Sequence, residues 1–144
     1  RLFCMNWTIT QTKDIDLCHA LRRSVFIEEQ NVNEADEVDG LDRDALHFLA
    51  KVKDQPVGTA RLLFLGNIAK IGRVCVLKKM RGRGLGSAII QSCLVAARGQ
   101  KSVEIARLGA QVHALNFYEK LGFKVVGPVY EDAGIPHRDM ECIL

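Results

Sequence analysis

The chain has 144 residues, 48% hydrophobic and 26% charged, ordinary values for one globular domain that buries roughly two thirds of its unfolded surface without a disulfide scaffold or metal staple. No apolar run approaches the roughly 18 residues of a membrane span, and a net charge of +3 is small for a nucleic-acid binder. Five scattered cysteines (Cys4, Cys18, Cys75, Cys93, Cys142) with no C-x-x-C pair argue against zinc and against a disulfide framework, and fit a reducing cytoplasm.

In chain order, Arg1 to Cys4 are too few for a signal peptide, so Met5 is expected to be the natural start and the domain to span residues 5–144, with residues 1–4 lying upstream of it. Residues 7–10 read as a short strand. Asp14 can cap a helix running to about Gln30, with Ile15, Leu17, Cys18, Leu21, Val25 and Phe26 as its apolar positions. Residues 28–44 then hold eight of the seventeen acids (Glu28, Glu29, Glu34, Asp36, Glu37, Asp39, Asp42, Asp44) against the single cation Arg43. Strands are expected at 46–52, 57–65 and 68–77, the first two joined by a turn at Asp54-Gln55-Pro56. A helix at 84–98, strand 102–106, helix 111–121 and strands 123–127 and 138–143 complete the chain. An antiparallel meander followed by a strand–helix–strand unit implies a single mixed α/β domain, with a mixed, mostly antiparallel sheet covered by helices.

One stretch is chemically unusual. Residues 71–87 read IGRVCVLKKMRGRGLGS, a strand that enters three alternate glycines among Lys78, Lys79, Arg81 and Arg83 and leads straight into a helix. No lysine follows Gly86, so this is not a P-loop, and Gly82, Gly84 and Gly86 give G-x-G-x-G rather than the dinucleotide G-x-G-x-x-G. Glu104 lies near the distance of a ribose-binding acid, yet the preceding chain is a meander. Basic residues without interleaved aromatics do not describe a nucleic-acid patch. Small residues at a helix start do let backbone N–H groups approach a diphosphate, with the helix N-terminus adding favourable partial charge.

Arg81, Gly84 and Gly86 match R-x-x-G-x-G between strand and helix, and residues 110–123 read AQVHALNFYEKLGF. Together with VFIEEQNV, DGLDRDALHFLA, VGTARLL, IGRVCVL and VYEDAGIPHRDM, these blocks resemble the GNAT superfamily of acyl-CoA-dependent N-acetyltransferases, in particular its small bacterial ElaA-like branch, over nearly the whole chain. Gln111 departs from the pattern, since many members carry asparagine seven positions before the tyrosine.

The resemblance implies a GNAT fold whose sheet is splayed at its centre, acetyl-CoA as cosubstrate, and no metal. It implies that the strand carrying Val74, Cys75 and Val76 leaves its parallel neighbour and offers backbone groups to the pantetheine arm, one N–H facing the thioester carbonyl. The coenzyme phosphates would meet Arg81, Gly82, Arg83, Gly84, Leu85, Gly86 and Ser87, and Asn116 would contact the coenzyme. Tyr118 would be the general acid that protonates the departing thiolate.

The acceptor amine must lose a proton before attack. Candidate bases are Glu28, Glu29, Asp39, Asp42, His47 and His137, with Glu29 and His137 first; His113 and His19 receive no role. Glu28, Asp39 and Asp42 are expected to hold a positively charged acceptor, although an acidic surface also serves solubility. Cys75 as an acetyl-carrying nucleophile is a rival to direct attack in a ternary complex, but it has no identifiable base beside it. Expected partners are a small-molecule or peptide amine, with neither nucleic acid nor membrane; a homodimer stays open. A catalytically silent acyl-CoA-binding or sensing module is the alternative function.

Overall fold

The computed structural model describes residues 6–144; Met5 as a natural start, and residues 1–4 before it, lie outside the described residues. Strand β1 (Trp7–Thr12) leads to helix α1 (Ile15–Arg22), whose first turn is capped by the Asp14 carboxylate accepting from the Leu17 N–H at 3.3 Å. The helix does not run on unchanged. Residues Arg23–Glu29 widen into π-helical turns, with the Gln30 N–H bonding back to the Val25 carbonyl. Apolar spacing cannot announce that change, because the same side chains face inward on either side of it.

A four-residue helix α2 (Glu34–Glu37) lies in the acidic stretch, followed by β2 (Leu46–Val52), β3 (Gln55–Leu65) and β4 (Ile68–Val76). The β2–β3 turn is Lys53-Asp54, both with positive φ (51° and 66°), one residue earlier than expected. Pro56 belongs to β3, opposite Lys51 where the register shifts, and there a missing N–H is tolerated.

Helix α3 (Leu85–Arg98) buries Leu85, Ile89, Ile90, Cys93, Leu94 and Ala97, each large aliphatic side chain contributing about 1.5–3 kcal/mol. Strand β5 spans Ile105–Gln111, later than the expected 102–106, and the expected helix from 111 is a 3₁₀ turn at Val112–Ala114 followed by the short α4 (Leu115–Glu119). Strands β6 (Lys124–Val125), β7 (Tyr130–Asp132) and β8 (Ile135–Ile143) close the chain; β7 was not expected.

The strands form one sheet in the order β1-β2-β3-β4-β5-β8-β6, with β7 also on β8. Every pairing is antiparallel except β4 with β5. Helices α3 and α4 lie on the face that holds the larger core, around Phe48, Leu62, Ile71, Ile89, Leu108 and Met140. Helix α1 lies on the other face, in a smaller cluster of Cys18, Leu21, Val25, Leu49 and Cys75. No helix among the described residues is long and apolar enough to cross a membrane.

Candidate active site

The parallel β4–β5 pair holds only from Ile68/Ile105 to Ile71/Leu108, while β4 runs on to Val76 and β5 to Gln111. Beyond Ile71 the two strands part and leave a wedge at the sheet centre, so backbone groups of residues 72–76 on that edge have no neighbouring strand. Such groups call for a partner. The β3–β4 register slips here: Arg61 opposes Gly72 and Thr59 opposes Cys75, so Arg73 and Val74 bulge opposite Ala60, with Arg73 at φ 50°. The Cys75 side chain turns into the smaller core, and burial pushes its thiol up to about 12. Val74 and Val76 pack against the larger core.

At the wedge mouth the chain makes a 3₁₀ turn over Lys78–Met80 and then uses its glycines in two different ways. Gly82 (φ 75°) and Gly84 (φ 86°) are left-handed, and Gly84 is the N-cap of α3. Gly86 instead provides clearance: a Cβ there would stand 3.4 Å from the Phe117 ring and 3.9 Å from Val76. Leu85 sends its side chain into the core, so it can serve a ligand only through its backbone, while Ser87 is half-buried. The opening turn of α3 therefore presents N–H groups and positive partial charge to an anion. Lys78, Lys79 and Arg83 are exposed nearby. Arg81 is engaged: its guanidinium makes a bidentate pair with Glu29 (2.6 and 2.8 Å) and its Nε donates to the Val76 carbonyl.

Tyr118 sits on α4, edge-on to Phe117 (centroids 5.0 Å apart) and to Phe123 (6.1 Å). Burial pushes its phenol up to about 12, so it stays protonated, and its hydroxyl has no hydrogen-bond partner among the described residues. Asn116 is exposed on the same helix.

The acidic loop is not the free anionic surface that its composition suggests. Asp42 is buried between Arg22 and Arg61 and also takes a 2.8 Å contact from His19 Nε2. Its burial would raise the carboxyl, but the Arg22 hydrogen bonds dominate and hold it well below the carboxylate range. Asp39 is clamped by Arg61 (2.8 Å to each oxygen) and Arg73 (3.1 Å); burial opposes ionisation, yet these cations keep it at about 2. Glu37 takes Arg22, and Glu34 takes Arg23. Asp39 and Asp42 are thus engaged as internal counter-ions, where the sequence reading expected acceptor ligands. Glu28 remains exposed.

Of the candidate bases, Glu29 is held by Arg81, whose hydrogen bonds lower its carboxyl below the usual value. His47 is buried against the Asp42 carbonyl. His137 lies on β8 opposite Gln111, with Nδ1 2.7 Å from the Ile135 carbonyl. A carbonyl can only accept, so Nδ1 carries a proton, and in the neutral ring the lone pair sits on Nε2. Gln111 joins the end of the first helix to β5 by donating to Gln30 Oε1 at 3.1 Å. Sequence reasoning missed Arg22, Arg61 and Arg73. The signal was present: Arg22 falls on the apolar face of α1, and Arg61 interrupts the apolar run of β3.

The model of a family described as acetyltransferase (GNAT) domain matches residues 16–144. The chain is 38% identical over 122 residues to the uncharacterized N-acetyltransferase YjcF of Bacillus subtilis, covering 83% of this chain and 86% of the relative. It is 37% identical to protein ElaA of Escherichia coli over 83% of this chain and 81% of that protein, whose crystal structure superposes with a TM-score of 0.83 over 96% of this chain and 99% of that one. An acyl-CoA N-acyltransferase from Pseudomonas aeruginosa superposes with a TM-score of 0.82 at 32% identity, over 96% and 99% of the two chains.

Proposed function

Because the chain belongs to the acetyltransferase (GNAT) domain family, we propose that it moves the acetyl group of acetyl-CoA to a primary amine by direct attack while both substrates are bound. The observation that carries this reading is the wedge between β4 and β5, with the left-handed Gly84 and the opening turn of α3 at its mouth. A diphosphate fits the N–H groups of that turn, and an extended thiol-ended arm fits the unpaired edge of residues 72–76. A β4 N–H would stabilise the oxyanion that forms as the amine nitrogen bonds to the carbonyl carbon. As the carbon–sulfur bond breaks, Tyr118 would donate its proton to the thiolate, a role that its raised phenol and unshared hydroxyl support.

An alkylammonium has a pKa of about 10, so a base must take the amine proton. His137 fits better than Glu29, because its Nε2 lone pair is unclaimed while Glu29 is tied to Arg81. The inert, buried Cys75 thiol favours direct attack over an acetyl-cysteine intermediate. Free thiol release from acetyl-CoA, measured across a panel of primary amines, tests the reading. Amine-dependent release is expected. Coenzyme binding with no release for any amine would leave only a silent acyl-CoA-binding module.

A further inference from the structure

On the sheet face away from α3, β5 presents Arg107, Gly109 and Gln111, and β8 presents His137, Asp139 and Glu141, with Gly109 opposite Asp139 and Gln111 opposite His137. These pairs stand at the height where β4 and β5 have parted. Helix α1 packs over β2, β3 and β4 on this face, and the Gln30–Gln111 hydrogen bond marks the border of that cover. Over β5 and β8 the first side chain met is Tyr130, folded back from β7. Its ring stacks on His137 with centroids 5.9 Å apart, and its hydroxyl donates to Asp139 Oδ1 at 2.6 Å. Gly109 makes this possible, since a Cβ there would lie 2.5 Å from the Tyr130 oxygen.

One oxygen of Asp139 is thereby oriented, and no cation pairs with Asp139 among the described residues. Arg107 on the same face is taken by Glu141, its Nε donating at 2.7 Å, and Arg138 donates to the Gly127 carbonyl. An oriented carboxylate without a counter-ion, beside the imidazole with the free lone pair, is a seat for positive charge. Its distance from that imidazole selects the ligand. Residues two apart on one strand face stand roughly 6–7 Å apart, a gap that about four carbons between two nitrogens span at bond lengths near 1.5 Å.

We propose that Asp139, oriented by Tyr130, binds a second cationic nitrogen of the acceptor, so that the preferred substrates are diamines whose other nitrogen meets His137. The proposal rests on the acyl-transfer reading above. With the acidic loop spent on internal pairs, Asp139 takes over the recognition of charge that loop composition had suggested.

The test uses 1,4-diaminobutane, n-butylamine and 4-aminobutanoate with acetyl-CoA, followed by thiol release. Calorimetric binding of 1,4-diaminobutane to the coenzyme A-loaded protein is measured in parallel. In the native protein kcat/KM for the diamine should exceed that for butylamine by at least about tenfold, the loss expected when a charge-assisted hydrogen bond is missing, and 4-aminobutanoate should be worst. Asp139→Asn should bring the diamine-to-butylamine ratio to about one and weaken diamine binding by a similar factor; the coenzyme affinity of each protein reports its folding. Tyr130→Phe, which keeps the carboxylate but removes the hydroxyl that orients it, should lower the preference without abolishing it. Equal use of the two amines by the native protein, or a preference that survives Asp139→Asn, overturns the proposal. If no amine releases thiol, the acyl-transfer reading falls, and binding alone decides: diamine affinity that depends on Asp139 upholds the seat, and affinity indifferent to Asp139 removes it.

Discussion

Tyr118 is wedged edge-on between Phe117 and Phe123, and phenylalanine in its place keeps both ring contacts while deleting one oxygen. Tyr118→Phe should therefore lose about 10²- to 10⁴-fold in kcat and little coenzyme affinity. Single-turnover measurements, where chemistry rather than product release limits the rate, make the comparison; an unaltered rate would reduce the tyrosine to core packing. The raised phenol adds a pH signature. The folded protein holds this proton more tightly than the unfolded chain, so stability is complete below the ordinary value of about 10 and falls as pH rises towards about 12. Alkaline unfolding of Tyr118→Phe should show a shallower slope, the buried Cys75 and Cys93 thiols supplying the remainder. At Gly84 the expectation differs in kind. Its would-be Cβ meets nothing within 4 Å, so Gly84→Asp folds at a cost of roughly 1–2 kcal/mol for the left-handed φ. It sets a carboxylate at the proposed phosphate site, and calorimetry should find coenzyme A binding abolished. Undiminished affinity in a folded variant would move the coenzyme elsewhere.

At the scale of elements, the segment carrying α2 is clamped to the sheet by Arg22 from α1, Arg61 from β3 and Arg73 from the β4 bulge. Removing one partner of such a buried pair leaves the other charge uncompensated, so Asp42→Asn should cost about 3–5 kcal/mol in denaturant unfolding at neutral pH. Because the folded-state values of Asp39 and Asp42 are depressed, their contribution is present above the ordinary carboxylate range and is lost as pH falls, through about 2 for Asp39 and lower still for Asp42. The stability difference between native protein and Asp42→Asn should accordingly shrink with acid; a constant difference down to pH 2 would contradict the clamp. The sequence reading took these acids for acceptor ligands without their counter-ions, which lie 19–34 positions away in other elements, where a local charge count cannot see them. The glycine loop was legible for the opposite reason: strand, left-handed turn and helix start are consecutive, so its chemistry and its geometry share one short stretch.

Across the whole molecule, alternation and glycine punctuation were enough to anticipate the meander, the long α3 and a mixed sheet. What escaped was set by distant contacts. Strand β5 was read at 102–106, whereas it runs on through Gly109, which admits a ring from β7, a strand too short and too exposed to betray itself. Strand β8 likewise begins three residues before the expected 138. The Glu29–Arg81 pair joins positions 52 apart, tying the last π-helical turn to the glycine loop. A carboxylate so lodged is a resident anion, and on the proposed coenzyme site an incoming phosphate would have to evict it to use Arg81. Coenzyme affinity would then carry a built-in handicap. Glu29→Gln should bind coenzyme A several-fold more tightly in titrations at low ionic strength, with the gain fading as salt screens the freed cation; no gain at any salt concentration would mean that the two anions never compete for the same guanidinium.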